Sequence, residues 1–578
     1  MAAPNIPLAK RTGLHVDLDR LTAEGSGWLS IDDGYRLKTY GVCPQSQDGV
    51  FMVRVRVPGG VLLSAQARGL ARLARRYGPD WLHLTTRQSV ELHWVPDTSV
   101  QALLAAIEEL GLSTRSTCGH TLRNVMCSED AGLGLDEPFD CFPDARLASD
   151  AIVARSEQLN VVLPGRINMA FGGSPRCRED APLNDVAFVS CVLDGPDGPA
   201  AGYEVWAGGS LGKSPRLGVP VAQFVPRSQV IAAVQALVDV YVEHGDLERP
   251  AKGRFKFVLD ALGPDGLRAA WSTAFDATLR SNTLADTPVP QVQVLGDVDR
   301  VAVLSQLPSG GWSSGVRPQR VPGRALVSVE VPLGDTCGSE LEVLADLADR
   351  YGDGALVLSR DQDVVLRDVA VSDLGAIRAA LAVRGLHLVG EGRRSKVRAC
   401  TGATVCAVGI TDAPGAGREL ADRASLRRNP SLRVHVSGCP NSCAQHQVGD
   451  IGLSGSKVRV GGRTGDGYHV VLGAVLDAGL VGETVGRVRD RDVGPVLDAV
   501  VGLWEATRHP GETIGVTLRR LGLDAVAAHL EAVMDDRWAS GPEPDVPTAD
   551  ASIPASGSVA PAGSVAVSIP VKAASGMV

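Results

Sequence analysis

The chain has 578 residues, 44% of them hydrophobic and 21% charged, with a formal net charge of −9. That length implies several domains, and the acidic balance gives a nucleic-acid partner no electrostatic footing. No apolar run reaches the length of a membrane-spanning helix, and Met1–Arg11 has no apolar signal core, so a cytoplasmic protein without a membrane partner is expected.

Residues 1–28 read as an irregular N-terminal arm. A first unit, 29–112, follows. Val53, Arg54, Val55, Arg56 and Val57 alternate with the period of a strand, which puts Arg54 and Arg56 on one face. Strand arginines most often face water. Pro58-Gly59-Gly60 ends the run. Ala65–Tyr77 has helical spacing, with Leu70, Leu73 and Ala74 on one side. Trp81–Trp94 reads as one strand, so His83, Thr85, Arg87 and Glu91 share a face and can line a pocket. Val100–Leu112 reads as a second helix, giving β-α-β-α in two layers.

The next unit, 113–275, carries Arg123 and Asn124 in Thr121–Cys127, then Arg166 and Asn168 two apart in Leu163–Asn168. It also holds a glycine-rich loop, Gly202–Gly212, and the alternating cations Lys252, Arg254 and Lys256. Residues 276–325, rich in Pro, Ser, Gln and Gly, read as a linker. Two further units are expected at 326–390 and 391–535, and the Ala/Ser/Pro/Val-rich 536–578 reads as a disordered tail.

The second half repeats the first. Val53–Pro58 has its counterpart in Val327–Pro332, Ala74–Gly78 in Ala348–Gly352, and Leu84–Arg87 in Leu358–Arg360. Cys127 falls opposite Cys400, and Gly202–Val205 opposite Gly467–Val470. Register kept across two half-chains points to an ancestral duplication and a pseudo-twofold molecule.

Four of the eleven cysteines lie in two tight pairs, Cys400/Cys406 and Cys439/Cys443, around the strand-like Leu432–Ser437. Four thiolates from two loops suit a [4Fe–4S] cluster. Spacers of five and three residues suit zinc less well, because zinc sites favour two. Zinc, or four unrelated buried thiols, stays open on spacing alone. Around these cysteines, His435–Leu453 closely resembles the signature of the sirohaem-dependent nitrite and sulfite reductases. That resemblance covers roughly residues 30–525.

The resemblance implies an α+β, pseudo-twofold duplicated protein, each half a small ferredoxin-like β-α-β-α unit plus a larger α/β domain for sirohaem and cluster. It implies that Cys400, Cys406, Cys439 and Cys443 hold the cluster, with Cys443 bridging to the sirohaem iron. Arg54, Arg123, Arg166 and Asn168 then meet the substrate anion, while His83, Thr85, Arg87 and Asn441 contact sirohaem, whose eight carboxylates need cationic partners. The Gly-rich loop would pack on the macrocycle, and Arg393, Arg394, Lys396 and Arg398 would meet its carboxylates or an acidic donor. The expected activity is six-electron reduction of a small oxyanion, nitrite to ammonia or sulfite to sulfide, with electrons from a protein such as ferredoxin, since no flavin or nicotinamide fingerprint is present. Asn168 leans toward nitrite. Arg166 departs from the family's lysine, and Cys43 stands where relatives often carry Tyr. Two alternatives share the fold: a ring-oxidising enzyme like precorrin-3B synthase, and a non-catalytic sirohaem carrier.

Overall fold

A computed structural model of the chain describes residues 4–196, 198–281, 289–306, 308, 311–392 and 395–540. Arg393, Arg394 and nearly all of the tail therefore lie outside the described residues.

The duplication is visible in the sheets. The first small unit has a five-stranded sheet in the order Val42–Pro44, Val50–Val55, Val90–Pro96, Leu82–Leu84, Asp335–Thr336. The second has Val316–Pro318, Arg324–Val329, Val364–Ala370, Ala355–Leu358, Val61–Leu63. Each sheet thus takes its edge strand from the other half, because Asp335 pairs with His83 and Ala355 with Leu63. Helices Ser64–Tyr77 and Gly338–Tyr351 are the corresponding amphipathic elements, each burying its apolar stripe. One continuous apolar core runs through both units, from Val53 and Leu70 to Val327 and Leu344.

The two larger units also share a plan. Leu122–Cys127, Ile167–Gly172 and Val186–Gly195 run parallel, followed by antiparallel Gly198–Ala207 and Val219–Pro226. Val397–Ala399, Val434–Ser437 and Ile451–Val460 are parallel in the same way, and Arg463–Leu472 and Glu483–Arg489 return antiparallel. Each has its own core. The α+β, doubled architecture expected from the repeat is the one observed.

Three local expectations need correction. The arm at 1–28 is not irregular: helices Ile6–Thr12 and Leu18–Glu24 form there, capped by the side chains of Asn5 and Asp17. Val316–Pro318, in the stretch read as linker, is an edge strand. Trp81–Trp94 is a hairpin, not one strand. Its turn is closed by Thr85 N–H on the carbonyl of Ser89, with Gln88 at φ +55°. The repeat has the same turn, with Gln362 at φ +67°. The two glutamines cross over: the Gln88 amide donates to the Leu358 carbonyl at 2.8 Å, and Gln362 to the Leu84 carbonyl at 3.0 Å. Gly60 and Gly334 (φ +76° and +78°) leave room for this, since a Cβ at either would sit 2.6 Å from those same carbonyls.

Candidate active site

The cysteines sit where strands of the second large sheet end. Cys400 follows Val397–Ala399, and Cys439 and Cys443 follow Val434–Ser437. Backbone geometry between them is tight, with Ser442 at φ +58° and Gln445 at φ +61°. Amide hydrogens point at the sulfurs. Gly438 N–H reaches Cys400 Sγ at 3.2 Å, and Gly402 donates to the same thiol. Val408 and Gly409 serve Cys406, and Asn441 serves Cys439. Such donors favour the thiolate form that a metal requires. Burial, then the neighbouring Cys443, holds the Cys400 thiol well above the ordinary range and pushes Cys439 up to about 11. A metal must therefore displace these protons, which couples binding to proton release.

Among the described residues, no three His, Cys, Asp or Glu side chains converge on a single-ion site. Cys400, Cys406 and Cys439 nevertheless each feel the charge of Cys443. Four cysteines brought together in this way match the four-thiolate ligation of a cubane cluster.

The first half closes over this cradle. Thr86 Oγ1 donates to the Cys443 carbonyl at 2.8 Å, Gln45 bridges to Cys406, and Gln447 Nε2 donates to the Gly212 carbonyl at 2.9 Å. The end of the Gly-rich loop thus lies against the cluster loop, with Gly212 beside the carbonyls of Pro440 and Asn441.

Cations collect next to the cradle. Arg123, on strand Leu122–Cys127, spends two nitrogens on the carbonyls of Thr117 (2.6 Å) and Gly119 (2.9 Å), and its buried Nε has no partner among the described residues. Arg54 donates to Glu91 at 2.5 Å and to the Thr117 carbonyl at 3.1 Å. Arg56, on the same face, is fully buried and takes the carbonyls of Leu122 (2.7 Å) and Arg123 (2.8 Å), fixing the segment that carries Arg123. Arg166 makes no hydrogen bond to another described residue. Arg254 first, then burial and Arg123, push it down to about 9. Arg87 is pushed down to about 10 by burial, while Cys443 acts the other way. Arg166 and Arg87 thus feel repulsion from neighbouring arginines, an arrangement that suits an anion from outside.

Asp185 is a second carboxylate within this group, in addition to Glu91. It is fully buried, and it takes Arg254 Nη2 at 2.9 Å, the Asn168 N–H at 2.8 Å and the Asn168 side-chain amide at 3.1 Å. Asn168, opening strand Ile167–Gly172, is thereby fixed beside Arg166.

Two expected members do not join the pocket. His83 faces the seam between the halves, its Nδ1 on Asp335 at 2.7 Å and its Nε2 taken by the Gln362 amide at 3.2 Å. Thr85 uses its hydroxyl to accept from the backbone N–H of Arg87 and Ser89. For Thr85 the cause is the hairpin: at a turn, alternate residues no longer share a face, and Thr86 reaches the cluster loop instead. Asn441 contributes its backbone to Cys439, and its side chain stays exposed. Arg398 is spent on Asp361 and Gln445, and Lys396 on Asp363. Arg254, Asp185, Thr86 and Gln447 were not singled out as site residues from sequence. Of these only Arg254 carried a signal, in the basic alternation at 252–256.

The donor set fits the two cofactors that go with this arrangement, a [4Fe–4S] cluster and sirohaem. Comparison with known proteins agrees. Residues 44–110 and 317–384 match the nitrite/sulfite reductase ferredoxin-like half domain, and 118–278 and 390–537 match the nitrite and sulphite reductase 4Fe-4S domain. A ferredoxin–nitrite reductase of Synechococcus elongatus is 30% identical over 82% of this chain and 90% of its own length. A ferredoxin sulfite reductase of Mycobacterium tuberculosis is 30% identical over 80% of each. The solved structure of the Mycobacterium tuberculosis NirA protein superposes with a TM-score of 0.74 at 26% identity, covering 90% of this chain and 98% of that one. These relatives favour a reductase over the ring-oxidising and carrier alternatives. A doubled sheet plan, a four-cysteine cradle and matches to both domain types in both halves place the chain in the nitrite and sulfite reductase family.

Proposed function

We propose that the protein reduces nitrite to ammonia in six one-electron steps, with sulfite as the poorer substrate. When bound, sirohaem supplies the iron on which the anion is reduced, and the cluster passes it electrons singly. Cys400, Cys406, Cys439 and Cys443 would hold the cluster, and the exposed Cys443 would be shared with the sirohaem. Arg87, Arg254 and Lys256 are placed to offset sirohaem carboxylates. Arg54, Arg123 and Arg166 bind the oxyanion and offset the charge that grows on oxygen as its bond breaks. Asn168, held by Asp185, orients the anion with neutral hydrogen bonds.

The observation that carries this reading is the group of arginines repelling one another beside the cysteine cradle. The lean to nitrite rests on Asn168. Sulfite is larger and carries two charges when fully ionised, so a second ammonium helps it, whereas a neutral amide suits singly charged nitrite. Electrons come from a ferredoxin-type protein. All eleven cysteines are free, which suits a reducing compartment and a cytoplasmic location. No described helix is long and apolar enough to cross a membrane.

The test is kcat/KM for nitrite and for sulfite with a chemical electron donor. Nitrite should be preferred by the wild type, and Asn168→Lys should move the ratio toward sulfite by about tenfold, the effect of ~1.4 kcal/mol in transition-state binding. A wild type that reduces sulfite well and nitrite poorly refutes the substrate choice. One that reduces neither refutes the function.

A further inference from the structure

Reducing nitrite to ammonium consumes six electrons and eight protons and releases two waters. The donor protein supplies the electrons, but the arginines of the pocket are poor sources of protons. A guanidinium keeps its charge in proteins, and Arg166, even pushed down to about 9, stays loaded at neutral pH. A different group must hand over protons.

His120 is placed to do so. It lies in the turn Gly119–Thr121, directly after the carbonyl that accepts from Arg123 Nη2. Its ring meets Tyr35 edge-on at 5.9 Å between centroids. Its Nδ1 is buried and has no partner among the described residues. Buried imidazole nitrogens are normally paired; His93 and His446 also have an open Nδ1, but of the three it is His120 that Arg123, Arg166 and Arg254 act on. The charged and titratable groups around it come from every neighbouring element. They are Lys10 on helix Ile6–Thr12, Tyr35 and Lys38 on helix Ile31–Thr39, Arg123 on its strand, Arg166 before the next strand, and Arg254.

We propose that His120 is the proton-delivering group of the oxyanion pocket. This deepens, and rests on, the reductase reading above. The imidazolium gives its proton to the substrate oxygen, the N–O bond breaks, the oxygen leaves as water after a second proton, and the neutral ring is reloaded from solvent. Loading is tied to substrate. In the pocket without an anion, burial and then Lys10, Arg166, Arg123 and Arg254 push the imidazole down to about 3, so it is neutral. An arriving anion offsets those same cations, the ring moves back toward its ordinary value of about 6.5, and a proton enters together with the nitrite.

The test uses sirohaem-loaded protein with His120→Gln and His120→Ala. First, nitrite is titrated into the oxidised protein at neutral pH in two buffers of different ionisation enthalpy, which reads proton uptake without turnover. The wild type should take up protons and both variants should not. Second, kcat is followed against pH with a chemical donor. The wild type should lose rate on the alkaline side through one group, and the variants should lose that limb and run about 100-fold slower, the usual contribution of a general acid. Added imidazole should restore part of the His120→Ala rate. Variants with wild-type proton uptake, or with an unchanged alkaline limb and a rate within about threefold of wild type, overturn the proposal. So would failure of both variants to load sirohaem, which would make His120 a structural residue. If the wild type reduces neither anion, the reductase reading itself falls, and that result is seen before any variant is made.

Discussion

Asp185→Ala is the sharpest probe of how the pocket is held. The carboxylate is fully buried and anchors two residues at once: Arg254, through contacts of 2.9 Å, 2.9 Å and 3.2 Å, and Asn168, through its backbone and side-chain amides. Truncation leaves a largely buried guanidinium without its counter-charge, and removing one partner of a buried pair costs about 3–5 kcal/mol. For a unit of this size, each kcal/mol moves the midpoint by about 2–4 °C, so thermal unfolding of the first large unit should shift down by ~6–20 °C. Activity should fall further than stability explains. Asn168 loses its anchor, and Arg254 is left to repel Arg166 without restraint. A misplacement near 1 Å costs ~100-fold in rate, and that is the expected drop in kcat/KM for nitrite. The assay is turnover at a temperature well below the variant's melting point, alongside scanning calorimetry. The double mutant with Asn168→Ala should show coupling, because the two share one hydrogen-bonded group. An Asp185→Ala protein that melts within about 2 °C of wild type and turns over within about threefold would refute the reasoning.

Other outcomes are expected elsewhere in the site. Cys443→Ser should abolish turnover and remove the electronic signature of a haem coupled to a cluster, checked by iron and sulfide content together with the visible spectrum; unchanged spectra would deny Cys443 its shared position. Glu91→Gln tests the pairing behind Arg54. Burial alone would raise the Glu91 carboxyl, but Arg54 and His93 outweigh it and hold the group well below the usual range. Its contribution is therefore present above the unfolded value near 4.3 and lost as pH falls through the folded one. The gap in melting temperature between wild type and Glu91→Gln should be widest above about pH 5 and shrink in more acid solution, and a gap independent of pH would count against the ion pair.

Much of the cluster cradle was legible because its information is local. The cysteine spacers, the turn residues around Gly438 and Pro440, and the alternating strand before them all lie within one short stretch. The anion pocket was legible only in part. Arg54, Arg123, Arg166 and Asn168 were marked by their motifs, but partners lie away from them in sequence: Glu91 is 37 residues from Arg54, and Asp185 is 17 from Asn168. The hairpin at Thr85–Ser89 was hidden because its left-handed residue is Gln88, where turn chemistry favours Gly, Asn or Asp. Missing that turn put Thr85 on one face with Arg87, whereas His83 does share the face of Glu91 and Arg54 but is turned to Asp335. The exchanged edge strands, two and three residues long, left no periodic signal at all. The caps at Asn5 and Asp17, by contrast, were readable signals of two helices in the arm.

The duplicated plan raises a question that sequence periodicity cannot answer: why the two halves of a doubled fold carry such different charge at the same place. The two hairpins that meet at the pseudo-twofold carry different charges. In the first, Thr86-Arg87 faces Cys443, and among the described residues no carboxylate lies within ion-pair distance of Arg87, although Asp185 acts on it from farther off. In the second, the equivalent turn is Arg360-Asp361. There Asp361 is met by Arg176 at 2.6 Å and by Arg398, Arg360 lies 3.0 Å from Asp180, and Glu129 takes Arg317 at 3.3 Å. Arg166 in the first pocket is left to the repulsion of Arg254 and Arg123, whereas Arg360 and Arg398 of the second meet carboxylates. An anion gains most from cations that lack internal partners, because displacing an existing buried pair offsets part of what the new contact returns. Duplication thus supplied two frames. Where the first turn carries Arg87, the second carries Asp361, and its pairing to Arg176 and Arg398 fills that frame with internal ion pairs.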